Sequence, residues 1–419
     1  MGERLFAGGK VKRSDIITLM IILFPLCNLS DNTIINYYDE IIAVFSLLVV
    51  IYNLLRRKVS TYDKVIIVVL VIITLVGLFS NLVSELITEI LPIAVDVLWL
   101  WKPFAIYIAF KLMADEDVVR EKVKRKLLPF AKLAIWVLFF TSIIGQFVDI
   151  GVNVSSTTSY ISGLNAFGFF WQNGIQVGWL AFSSLLVISS IETAKNTFTF
   201  YLVVAIVPMF LTSSALVMCW IVVEVMLLVL LRSRERLTSL QLIIVVVVLV
   251  AVVSTEAEEY FAEGLRGEFY EYAVVVANRY FPFGSGFATY GTEMAARYYS
   301  QLYIEFGWQE SWALGEESSF LNDNFFASII GQFGWISFAL YLICLVMMFK
   351  QVNSDVFYKR ERITLIATVI TIIAVMTGSA SAKSIMGVFT FAVLGVISSK
   401  NKVGTGRERL ENQEDLQAS

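Results

Sequence analysis

The chain alternates between long apolar runs and short charged stretches. That pattern predicts twelve helical spans, at about 15–32, 41–55, 64–82, 91–112, 129–149, 175–193, 197–212, 214–231, 238–255, 325–349, 362–378 and 384–398. The runs are continuous rather than alternating, so they read as helices crossing lipid. A membrane barrel would show polar residues at every second position. The expected fold class is therefore all-α: a polytopic helical membrane protein of about 12 transmembrane helices with one large external loop. Composition agrees, since 58% of the residues are hydrophobic and the mean hydropathy is +0.75, against about 45–50% apolar in soluble domains. Residues 1–399 are expected to form a single transmembrane domain, and the polar tail 400–419 to be disordered.

The distribution of charge orients the spans. With the N-terminus in the cytoplasm, 27 of the 32 Lys and Arg residues fall on the cytoplasmic side, as the positive-inside rule requires. Both termini are then cytoplasmic. The five exceptions are Lys102, Arg266, Arg279, Arg297 and Lys383. Basic residues precede the first run, but no small-x-small cleavage site follows it, so it reads as a retained helix. The segment from Asp115 to Lys126 reads as a charged helix at the membrane surface, with Glu121 opposite Arg125.

Two connections on the external side exceed turn length, at about 150–174 and 256–324. Loops of that length are functional or disordered. The second is rich in aromatics, including Tyr260, Phe269, Tyr272, Trp308 and Trp312, which argues for an ordered structure. The residues capable of chemistry cluster in this one external loop. The chain has no histidine, so proton transfer falls to a carboxylate, Lys, Tyr, Cys or the substrate. Cys27, Cys219 and Cys344 each stand alone in an apolar run, with neither disulfide nor zinc spacing.

Arginine grips phosphate oxygens in a bidentate way and stays charged at working pH. Arg266 leads into Glu268–Asn278, which reads as an amphipathic interfacial helix closed by Arg279. These two and Arg297 either bind an anionic substrate or pair with loop carboxylates. Pro282, Gly284 and Gly286 form a tight turn. Asp323, between Asn322 and Asn324, either caps the tenth span or orients and deprotonates an acceptor hydroxyl. Glu316 and Glu317 are rivals for that role. Lys102 lies inside the fourth span, six residues after Asp96 and so not on the same face. It is either a functional charge or a lysine snorkelling beside Trp99 and Trp101. Glu224 is expected to face the bundle interior.

The pattern resembles the Wzy-type polysaccharide polymerase and O-antigen ligase superfamily. That family has a glycine–arginine start, an aromatic four residues on, and a Pro-x-Gly-x-Gly turn. Here these are Gly264-Leu265-Arg266, Tyr270 and Pro282-Phe283-Gly284-Ser285-Gly286. The family then has a His-Asn pair entering a helix, with a glycine eleven positions after the histidine. Here the pair is Asp323-Asn324 and the glycine is Gly334, so aspartate replaces the histidine. Phe170 to Asn173 resembles an Asn-containing segment of the earlier external loop. Thr212-Ser213-Ser214 resembles the family's short Ser-Arg turn without its arginine.

The resemblance implies a GT-C-like architecture and a metal-independent, cofactor-free glycosyltransferase of the bacterial inner membrane, with its site on the periplasmic or external side. Donor and acceptor would be undecaprenyl diphosphate-linked oligosaccharides, and a chain-length regulator and a flippase are implied partners alongside membrane lipids; nucleic acid is not. Arg266 and Asp323 would be catalytic. Arg279, Arg297, Lys102, Asn173, Asn324, Glu316 and Glu317 would bind substrate. A ligase would instead pass the glycan to a lipid A core or a protein. The missing histidine departs from the ligase pattern and favours the polymerase. A lipid-linked oligosaccharide flippase also has about a dozen spans, and central charges in several spans around a cavity would point to it.

Overall fold

The structure is a computed structural model describing residues 12–30, 35, 37–158, 163–192, 194–230, 265–311, 314–316, 319–353, 357 and 359–399. The ninth expected span, the tail from 400, Gly264 and Glu317 lie outside these residues.

The bundle helices are α1 (Arg13–Cys27), α2 (Tyr38–Leu55), α3 (Thr61–Ser84), α4 (Ile90–Met113), α5 (Asp117–Phe147), α6 (Gly174–Ser189), α7 (Lys195–Leu211) and α8 (Ala215–Leu230), followed later by α12 (Phe325–Val352), α13 (Lys359–Gly378) and α14 (Ile385–Ile397). Between α8 and α12 lie α9 (Leu265–Arg279), α10 (Glu293–Arg297) and α11 (Gln301–Glu305). Among the described residues, six helices, α2, α3, α4, α5, α12 and α13, are long and apolar enough to cross a membrane, and α6, α7, α8 and α14 are apolar but shorter.

Side-chain contacts sort the helix ends into two groups. At one end Arg13 meets Asp115 (3.3 Å) and Glu116 (3.1 Å), Lys111 meets Asp63 (2.8 Å), and Lys132 meets Glu192 (2.5 Å). At the other end Asn28 donates to Gln176 Oε1 (2.6 Å), Lys102 meets Asp39 (2.6 Å), and Arg266 meets Asp323 (2.5 Å). The first is a basic-rich end; the second is called the cavity end below.

The core runs through α4, α6, α13 and α14. Every residue from Ile385 to Ile397 is buried, because α14 is apolar on all faces and packs on both α4 and α6. By contrast, α2 packs mainly on α4 and leaves large apolar side chains such as Leu48 and Leu55 exposed.

Two local expectations are corrected. The charged segment 115–126 is not a separate surface helix, because most of it is the first part of α5. Arg120 and Lys124 are buried there, and Lys124 reaches the buried Glu361 of α13 (3.6 Å). Glu121 accordingly pairs with Lys124 (3.1 Å), while Arg125 faces outward. Nor is the chain purely α: the 150–174 connection holds an antiparallel pair, β1 (Asn153–Thr158) and β2 (Asn165–Phe167).

Candidate functional site

The long connection folds around its aromatics. In α9, Phe269, Ala273, Val276 and Ala277 are buried and form one face, which packs on α12. Trp308 is ringed by Phe269 (5.1 Å between centroids), Tyr272 (5.1 Å) and Tyr303 (5.1 Å), and its Nε1 donates to Glu268 (3.0 Å). These rings supply a small core of their own, so the connection is an ordered layer. Tyr270 donates its hydroxyl to the Thr377 carbonyl at the end of α13 (2.7 Å).

The glycines of the Pro-x-Gly-x-Gly turn serve backbone contact. Gly284 and Gly286 have φ of 77° and 99°, and Gly334 breaks α12 at φ 71°, ψ −179°. The turn sits in that break: Ser285 N–H donates to Gly331 O (3.1 Å) and Gly286 N–H to Gln332 O (2.8 Å). A Cβ on Gly284 would lie 2.5 Å from the Gln332 carbonyl oxygen, so only glycine fits. The turn therefore braces α12 rather than cradling phosphate.

Two polar side chains in the bundle hold the segment after the turn. Asn81 of α3 accepts from Phe287 N–H (2.7 Å) and donates to Phe287 O (2.9 Å). Asp96 of α4 accepts from Ala288 N–H (2.7 Å), Thr292 Oγ1 (2.8 Å) and Gln332 Nε2 (3.0 Å), all through Oδ2. This fixes α10, whose Glu293 faces the cavity.

The cavity is about 590 Å³, within the range of small-ligand sites. Its lining comes from widely separated parts of the chain: Asn28 after α1, Asp39 and Glu40 at the start of α2, Trp99 and Lys102 in α4, Trp171 and Asn173 before α6, Asp323 before α12, and the turn between α13 and α14. Arg266 stands behind Asp323, donating from Nε (3.2 Å) and Nη2 (2.5 Å) to Oδ2. Asp323 Oδ1 accepts from Ser379 Oγ (3.3 Å). Lys102 does not snorkel: its Nζ donates to Asp39 Oδ2 (2.6 Å) and Glu40 Oε1 (3.0 Å), buried within the cavity wall.

Four expected site residues thus converge here: Arg266, Asp323, Lys102 and Asn173. Asp323 does not cap α12; that position belongs to Asn324, which makes no side-chain cap bond and is buried away from the cavity lining. Asn173 does cap α6, accepting from Ile175 N–H (2.9 Å) and Gln176 N–H (3.3 Å). Arg279 turns to Glu305 (2.5 Å) and Arg297 to Glu293 (2.9 Å); both are exposed and neither lines the cavity. Glu316 is exposed and likewise outside the lining. These three charges share a setting outside the cavity lining: each meets solvent or a local partner. Glu224 is buried in α8 and accepts from Thr364 Oγ1 (3.0 Å), as its position in an apolar span implies.

Sequence reasoning assigned no role to Asp39, Glu40, Glu293, Trp99 or Lys383, which all line the cavity. A signal existed for Lys383, one of the five basic residues outside the cytoplasmic clusters, set in the serine-rich stretch Ser379-Ala380-Ser381-Ala382-Lys383-Ser384. Its ammonium lies over the Trp99 ring, 5.1 Å from the centroid. Burial lowers its pKa to about 8, with Lys102 adding to the shift and Asp96, Glu293 and Asp323 opposing it. No protein-family model matches the chain, and no curated protein matches it.

Proposed function

We propose that the chain is a bacterial polysaccharide polymerase, an inverting glycosyltransferase of the cytoplasmic membrane. In this reading twelve spans cross the membrane in a GT-C-like arrangement. Both termini are cytoplasmic, the basic-rich end faces the cytoplasm, and the cavity opens at the outer leaflet. An acceptor hydroxyl on one lipid-linked repeat unit attacks the anomeric carbon of another. The new C–O bond forms as the bond to undecaprenyl diphosphate breaks, and the diphosphate leaves with the electron pair. Asp323 Oδ1 orients the hydroxyl and takes its proton, while Arg266 locks the carboxylate through Oδ2. Of the charges that line the cavity, its lysines steady the departing anion.

One observation carries the reading. The segments on which the family resemblance rests are far apart in sequence, yet they work together around one cavity. Arg266 binds Asp323, the segment ending in Asn173 lines the same space, and the glycine turn braces the helix that follows Asp323. The test is incubation of the purified full chain with a lipid-linked repeat unit. Wild type should give a ladder of polymer on a gel, and Arg266→Ala should give none at equal protein level.

A second reading, transport of a lipid-linked oligosaccharide, is favoured by the buried Lys102–Asp39–Glu40 group, which brings charges from two helices to the cavity. Liposomes separate the two: a flippase moves the repeat unit between leaflets without lengthening it.

A further inference from the structure

Four of the five basic residues near the cavity end are already committed. Arg266 is held on Asp323, Lys102 on Asp39 and Glu40, Arg279 on Glu305 and Arg297 on Glu293. Lys383 differs. It lines the cavity, and among the described residues it has no carboxylate within ion-pairing distance and no hydrogen-bond acceptor. Its ammonium lies over the face of Trp99, with Asp96, Glu293 and Asp323 acting on it from beyond ion-pairing distance, which leaves its hydrogens for something in the cavity.

The turn that carries it is built close to α14. A Cβ on Gly387 would collide with the Ser381 and Ala382 carbonyls, so the 380–383 turn lies directly on the first turn of that 13-residue helix. Ser379, Ser381 and Ser384 all line the cavity. Ser381 Oγ accepts from Trp179 Nε1 (3.4 Å), and among the described residues its own hydrogen has no acceptor. An ammonium with no carboxylate within ion-pairing distance and a hydroxyl with a spare hydrogen face one space, beside the start of α14, where Ser384 Oγ already caps Gly387 N–H. A lysine point charge beside a hydroxyl donor suits a phosphate oxygen.

We infer that Lys383 and Ser381, both on the 379–384 turn, form the seat for a phosphate or diphosphate group in this cavity. The identity of that group as the lipid-linked diphosphate rests on the polymerase reading; the seat itself does not. Asp323 and its arginine then serve the acceptor side, and Lys383 the leaving-group side.

The experiment uses the full chain in phosphatidylcholine nanodiscs, acetylated with an amine-selective reagent and read by peptide mass spectrometry. Millimolar inorganic pyrophosphate should slow acetylation of Lys383 about tenfold, while the exposed Lys350 is unaffected. Unchanged labelling of Lys383 overturns the seat. So does protection by phosphatidylglycerol-containing nanodiscs with no response to pyrophosphate, which would assign the lysine to a lipid headgroup. Lys383→Met should fold, with a melting point at neutral pH no lower than wild type, and lose at least tenfold in polymer yield, and Lys383→Arg should keep most of it. Normal polymerisation by Lys383→Met removes the seat and leaves the polymerase standing. Pyrophosphate protection in a wild-type protein that makes no polymer keeps the seat and removes the polymerase.

Discussion

Lys102→Met is the most telling change to the cavity wall. The lysine side chain is 3% exposed and Asp39 is 5% exposed, at an N–O distance of 2.6 Å; Glu40, 3.0 Å away, is 27% exposed. Removing the ammonium leaves Asp39 buried with no countercharge, and breaking such a pair from one side costs about 3–5 kcal/mol. Glu40 can rehydrate, so the loss should fall at the lower end of that range. It would still be a large part of the roughly 5–15 kcal/mol that holds a protein folded. The surface pair Arg297–Glu293 gives the contrast: at 57% and 47% exposure it should contribute at most about 0.5 kcal/mol. The assay is thermal unfolding in mild detergent of Lys102→Met, of Lys102→Met with Asp39→Asn, and of Arg297→Ala. The single lysine variant should melt far below wild type. The double variant should recover most of the loss, because no unpaired buried charge remains at position 39. A lysine variant that melts like wild type, or a double variant no better than the single, would refute the reasoning.

Asp323→Asn should lower polymer yield at least tenfold with little change in melting point, measured by gel and thermal shift on the same preparation. Gly334→Ala forces a side chain into a backbone region open essentially to glycine and places a Cβ 2.7 Å from the Pro282 carbonyl oxygen. It should cost about 1–3 kcal/mol or more, whereas Gly307→Ala, with open space around its Cβ, should cost less. Asp96→Ala strips an acceptor from three donors and should cost about 1–3 kcal/mol for each one left unsatisfied, with faster limited proteolysis between 285 and 293. Finally, Lys383 keeps its proton up to about pH 8 when folded and to its ordinary 10.5 when unfolded. The unfolded chain binds more protons between those values, so stability should rise with pH across that window. The rise is bounded at about 3 kcal/mol by 1.4 kcal/mol per pH unit and reduced by the side chain's partial exposure. Lys383→Met should flatten it in a pH series of melts.

Much of the architecture was legible before any coordinates. Continuous apolar runs announce helices because lipid forces each segment to satisfy its own backbone, and the described bundle helices overlap the predicted runs, with α5 beginning well before its run. The Thr212–Ser214 break, the helix after Arg266 and the interior position of Glu224 were legible for the same kind of local reason. The separation of Arg266 from the surface arginines was not. All three stood in one loop with similar neighbours, and only folding gave Arg266 to Asp323, Arg279 to Glu305 and Arg297 to Glu293.

Sequence periodicity relates residues within one helix, a few positions apart. Lys102 and Asp96, six residues apart, do not share a face, and nothing local says that Lys102 would meet Asp39 from another helix or that Asp96 would hold a loop almost two hundred residues later. Those pairings arise because a charge inside an apolar bundle must find its counterpart wherever helix packing brings one. The chain's pattern of apolar runs and basic clusters determined the helices and sorted the charges between two ends. Tertiary packing decided which charges pair, and so which cation lining the cavity, Lys383, has no ion-pair partner among the described residues.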